Sequence, residues 1–101
     1  MYKLLIVEDD LIIAQGLQKH FEKYHYEVSC VENFENVLDD FIQYKPDLVL
    51  LDIHLPFFDG YYWCQEIRKI SQVPIVFISS ANENMNIVLA MNMGGDDFIN
   101  K

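Results

Sequence analysis

Glu8, Asp9, Asp52, Ser79 and Lys101 stand where side chains could do chemistry together, because each closes a run of apolar residues. Glu8 and Asp9 follow KLLIV (Lys3 to Val7), Asp52 ends LVLLD, Ser79 ends VPIVFIS and Lys101 ends DFINK. Glu8, Asp9 and Asp10 are consecutive carboxylates, and at the end of a buried strand their repulsion adds to the cost of desolvation. A positive species among them removes the conflict. Glu8, Asp9 and Asp52 form an oxygen-rich set suited to a hard cation such as Mg2+, which keeps several waters and takes carboxylate and phosphate oxygens. Asp52 is then available as a carboxylate nucleophile toward a phosphoryl group. The Lys101 ammonium and the Ser79 hydroxyl are placed to bind the phosphoryl oxygens. Singly, these residues read as a helix cap, a loop cap, a strand-end hydroxyl and a surface lysine. Their conjunction carries the reading.

The elements that must position them alternate in a steady rhythm. KLLIV reads as a strand buried on both faces. From Asp10, a ready N-cap, to about Tyr24, the residues Ile12, Ile13, Leu17 and Phe21 recur at helical spacing. EVSCV (Glu27 to Val31) alternates like an edge strand. NFENVLDDFIQY predicts a helix with Phe34, Val37, Leu38, Phe41 and Ile42 on one face, and Pro46-Asp47 breaks the chain before LVLLD. LPFFDG reads as a loop, and YYWCQEIRKI as a helix with Trp63, Ile67 and Ile70 inward. VPIVFISS is another buried run, ENMNIVLAMNMGG a modest helix closed by Gly94 at C′, and DFINK a last short strand. A βαβαβαβαβ order calls for a parallel sheet with helices on both faces. In such a sheet sites form outside the carboxyl ends of the strands, so the five residues converge on one edge.

Composition agrees with a folded, single-domain chain. It has 101 residues, 51% of them hydrophobic and 14% aromatic, ample for a core. Its net charge of −9, from 16 acidic and 7 basic residues, excludes a nucleic-acid backbone or an anionic membrane as a direct partner. Cys30 and Cys64 fall in no metal-binding or CxxC spacing, and buried or half-buried thiols suit a reducing cytoplasm. Neither a membrane-length apolar run nor a signal-peptide pattern is present.

In order, and over essentially the whole chain, LLIVEDD, LVLLDIHLPFFDG, VPIVFISS and GGDDFINK resemble the response-regulator receiver domain of bacterial two-component signalling. The resemblance implies an α/β, doubly wound, flavodoxin-like five-stranded parallel sheet of order 2-1-3-4-5. It implies that Asp52 accepts a phosphoryl group from a sensor histidine kinase. Asp9 would ligate Mg2+ directly and Glu8 through water, with Asp52 and the backbone carbonyl of His54 completing the protein ligands. Ser79 matches the switch hydroxyl, Phe98 the switch aromatic and Lys101 the phosphate-binding lysine. LPFFDGYYWCQEIR is similar to receivers joined to winged-helix DNA-binding domains. Its YWC element resembles those answering bacitracin and antimicrobial peptides. DNA would be read only through such an output domain, which residues 1–101 do not include, and the full-length protein would form a homodimer.

The chain departs from the family by stopping at Lys101, where a receiver continues into a proline and a fifth helix. Residues 1–101 are therefore expected to be a receiver truncated before its last helix. Either the functional protein continues, or the fragment self-associates over a face left bare beside the strands holding Leu5, Val7, Leu50 and Val76. Gly94-Gly95 replaces the usual Gly-Ala, and His54 faces the entrance of the site, where it could tune water access. An aspartyl-nucleophile phosphatase or phosphotransferase is the competing reading. Its dehalogenase-like form needs a second Asp two residues after the nucleophile, a place held by His54. A flavodoxin-like nucleotide binder would want a phosphate-cradling loop after the first strand, where EDD repels phosphate. A scaffold that is never phosphorylated has no need of Asp52, Ser79 and Lys101 together.

Overall fold

The computed structural model describes residues 1–79, 95 and 97–100, with Ser79 and residues 97–100 described by their backbone only. Its elements are β1 (Lys3–Val7), α1 (Leu11–Glu22), β2 (Glu27–Cys30), α2 (Val37–Tyr44), β3 (Leu48–Asp52), α3 (Gly60–Arg68), β4 (Ile75–Ser79) and β5 (Asp97–Asn100). The strands form one parallel sheet of order β2-β1-β3-β4-β5. β1 and β3 each run from a half-buried first residue into four fully buried ones, as central parallel strands do. β2 is an edge strand, and Val31, expected as its last residue, still donates its N–H to the Ile6 carbonyl at 2.9 Å.

Capping sets the helix starts. The Asp10 carboxylate accepts the backbone N–H groups of Ile12 and Ile13 at 3.0 and 3.3 Å, and the Asp59 carboxylate accepts that of Tyr62 at 2.9 Å. Asn36 caps α2 by accepting the Asp39 N–H at 3.2 Å. α2 therefore begins after Phe34, which was expected on its face, although Phe34 still packs on the core. Lys45 ends that helix in a left-handed conformation (φ 55°).

Alternation along the strands divides the core in two. Leu5, Val7, Val49 and Leu51 face Val37, Phe41, Trp63, Cys64 and Ile67 of α2 and α3. Leu4, Ile6 and Leu50 face Ala14, with Leu17, Phe21 and Val76 packed around them. The strands expected beside the bare face hold Leu5, Val7, Leu50 and Val76, and of these Leu50 and Val76 lie on the α1 side of the sheet. Leu5 pairs with Val49 and Val7 with Leu51, so their side chains point the other way. Three helix-face expectations also fail: Ile12 is 83% exposed, Ile42 50% and Ile70 56%. Ile12 sits in the first turn, where Ala14, Leu17 and Phe21 carry the buried stripe, and Ile70 lies beyond the end of α3. Cys64 is fully buried and Cys30 half-buried, as expected. No helix among the described residues is long and apolar enough to cross a membrane. The ENMNIVLAMNMGG helix, Gly94, the side chains of Ser79 and Phe98, and Lys101 lie outside the described residues.

Candidate phosphoryl-acceptor site

Register brings the acids together. Val7 pairs with Leu51, so Glu8 and Asp52, each one residue further on, leave adjacent strands at the same level. Carboxylate oxygens of Glu8, Asp9 and Asp52 lie within 4.8 Å of one another. Asp52 is 1% exposed and Glu8 2%, whereas Asp9 is exposed, so the set has a buried floor and one acid toward solvent. Such a donor set, all hard oxygens, fits a small divalent cation. A Glu8 oxygen accepts the Asp10 N–H at 3.2 Å, and an Asp52 oxygen accepts the His54 N–H at 3.4 Å. The loop backbones on both sides thus orient the acids.

β4 and β5 bring their ends to the same edge. Asp52 pairs with Ile78, and Ser79, the next residue, pairs with Asn100. The backbone register therefore puts positions 8, 52, 79 and 100 at one end of four adjacent strands. The roles of the Ser79 and Lys101 side chains fall outside the described residues.

Residue types mark the segment after Asp52 only as a loop and do not show its construction. Gly60 donates its N–H to the Ile53 carbonyl at 2.8 Å, closing the segment 54–59 back on the strand it left. A β-carbon on Gly60 would collide with the Asp52 carbonyl and stand 3.0 Å from the Ile53 α-carbon, so this close approach needs glycine. The Asp-Gly pair ahead of a helical run is the available signal. Phe58 donates its N–H to the Pro56 carbonyl at 2.9 Å, and Phe57 between them takes φ 69°. Phe58 stacks on Tyr62 (centroids 4.4 Å apart, planes 18°), and both meet buried Trp63 edge-on. His54, two residues after Asp52, is exposed.

Comparison with known proteins agrees with this geometry. Residues 4–101 match the family model of the response regulator receiver domain, and the chain belongs to that family. It is 54% identical over 101 residues to the transcriptional regulatory protein YvcP of Bacillus subtilis (strain 168), covering all of this chain and 43% of the relative. It is 44% identical to the sensory transduction protein BceR of Halalkalibacterium halodurans, again over the whole chain and 44% of the relative. Among solved structures it is similar to the N-terminal domain of the nisin resistance regulator NsrR, a lantibiotic response regulator. There the TM-score is 0.90 at 50% identity, covering 100% of this chain and 86% of that one. The chain thus spans less than half the length of these curated relatives. It is a receiver domain, a signalling domain whose acidic pocket could hold a divalent metal.

Proposed function

We propose that this receiver accepts a phosphoryl group on Asp52 from a sensor histidine kinase and passes the change to a DNA-binding output domain in a longer protein. The observation that carries the reading is the cluster of Glu8, Asp9 and buried Asp52 within 4.8 Å at the carboxyl edge of a parallel sheet. Asp9 and Asp52 would hold Mg2+ directly and Glu8 through water, and the His54 backbone carbonyl would complete the protein ligands. When bound, the metal supplies positive charge that offsets the carboxylates and the phosphoryl oxygens. An Asp52 carboxylate oxygen forms a bond to phosphorus while the phosphorus–nitrogen bond of the donor histidine breaks. The imidazole leaves and recovers a proton from water. Lys101 pairs with a phosphoryl oxygen, the Ser79 hydroxyl follows it, and the Phe98 ring turns into the space this opens. Phosphorylation and dephosphorylation of Asp52 are the only chemistry this reading asks of the domain.

We read the whole protein as a cytoplasmic regulator, dimeric at full length, that answers cell-wall antibiotics or antimicrobial peptides; likeness to the nisin resistance regulator NsrR supports the last part of this reading. The test is incubation with acetyl phosphate and Mg2+, followed by intact mass and peptide mapping. One phosphoryl group on Asp52, absent from Asp52→Asn and from samples in excess chelator, is expected. Labelling that persists in either control overturns the assignment. Sustained turnover of phosphate esters would favour the phosphatase reading instead.

A further inference from the structure

Two unfavourable features meet in the segment that leaves β3. Phe58 donates its N–H to the Pro56 carbonyl at 2.9 Å around Phe57 at φ 69°. The three residues therefore make a γ-turn of the positive-φ kind, the rare and strained form. Strained residues persist where their surroundings over-determine them, yet the Phe57 side chain is 70% exposed and little packing holds it. The second feature is Trp63. It is 4% exposed, and its indole N–H has no hydrogen-bond partner among the described residues. A buried donor left without an acceptor is a cost the fold carries. The two features touch, because the Phe58 ring meets the Trp63 ring edge-on with centroids 5.6 Å apart. Both ends of the segment are fixed, by Ile53 accepting the Gly60 N–H at 2.8 Å and by Asp59 capping α3. Any rearrangement is thus confined to residues 54–58.

We propose that residues 54–58 form a two-state strap beside Asp52. In the second state Phe57 leaves the left-handed region, the turn between Pro56 and Phe58 opens, and a freed backbone carbonyl of the strap accepts the Trp63 indole N–H. One motion then removes both costs and gives up one turn hydrogen bond, so the second state lies close to the first in free energy. The strap is coupled to the site at its first residue, where the Asp52 carboxylate accepts the His54 N–H at 3.4 Å. That bond favours the state seen here, and a change of charge on Asp52 shifts the balance. The competing account leaves the strap with one state. In it the indole N–H rests against the faces of Phe58 and Tyr62, which satisfy it weakly.

Nuclear magnetic resonance on the 15N-labelled chain separates the two, since relaxation dispersion reads exchange on the microsecond to millisecond scale. The Trp63 indole N–H and the backbone amides of Phe57 and Phe58 should report one shared process, with the same rate and minor population. Glycine is unstrained at positive φ, so Phe57→Gly should lower that population about fivefold or more. Trp63→Phe removes the donor and should lower it too at the two amides; where that variant fails to fold, Phe57→Gly decides alone. Asp52→Asn weakens the hold on the His54 N–H and should raise the population about twofold or more. Flat profiles at all three positions overturn the proposal, as does an indole that exchanges at a different rate from the amides. A Phe57→Gly population within about twofold of wild type also overturns it. An Asp52→Asn population equal to wild type overturns the coupling to the site. None of these readings uses phosphorylation, so they stand apart from the acceptor role of Asp52, which acetyl phosphate tests separately.

Discussion

The Asp52 carbonyl and Gly60 stand so close that no side chain fits between them, which fastens the start of α3 to the end of β3. Gly60→Ala should therefore lower stability by roughly 1–3 kcal/mol, since backbone on both sides must shift. Urea unfolding measures this, and the same variant should label more slowly with acetyl phosphate as Asp52 is displaced. Gly16 gives the internal control. A β-carbon there meets nothing within 4 Å on an exposed turn of α1, so Gly16→Ala should raise stability by about 0.5–1 kcal/mol through helix propensity alone.

Asp9 is the exposed member of a triad whose other two acids are buried. Replacing it with Asn removes a full charge from the candidate cation site and leaves the core untouched. Mg2+ affinity, followed by calorimetry or by the emission of Trp63, should fall by about tenfold or more, at the scale of a lost charge-assisted ligand. Unchanged affinity in Asp9→Asn would remove Asp9 from the metal site.

Phe57 makes the converse case, a residue that opposes folding. At φ 69° a phenylalanine is strained by about 1–2 kcal/mol, and glycine relieves most of that while adding some entropy cost to ordering the chain. Phe57→Gly should be as stable as wild type or more so, by up to about 1 kcal/mol, with a urea midpoint no lower than that of wild type. A clearly lower midpoint would mean that the exposed ring packs more tightly than its 70% exposure indicates.

Much of this was legible in the sequence because it depends on alternation and strand order. KLLIV and LVLLD are apolar throughout, which marks central parallel strands and places Glu8 and Asp52 at one edge. What the pattern could not give was the face on which each side chain falls. Leu5 and Leu50 look alike in unbroken apolar runs, and only the pairing of Leu5 with Val49 separates them. Ile12 and Ile70 depart from their expected faces because hydrophobicity marks a helix face but not its ends, whereas Ile42, inside α2, lies off the side that Val37 and Phe41 bury. The loop geometry at Phe57 and Gly60 depends on backbone angles and contacts far finer than residue type.

Asp40 ties stability to pH. Burial, then the neighbouring carboxylates of Asp39 and Glu32, hold the Asp40 carboxyl above its ordinary value of 3.8. The start of α2 favours negative charge there, yet burial and repulsion outweigh it. Because the native pKa is raised, the native state binds more protons than the unfolded chain between 3.8 and that higher value. Stability contributed by this group is present below that window and lost as pH rises through it. Asp40→Asn should then be more stable than wild type at neutral pH, by only about 0.5 kcal/mol because solvent screens a half-buried side chain. Its advantage should shrink as pH falls through the window and vanish where Asp40 is protonated in both states. Paired urea titrations from neutral to acid pH measure the difference; an advantage that stays constant across that range would show that the gain arises from packing or hydrogen bonding and not from the charge.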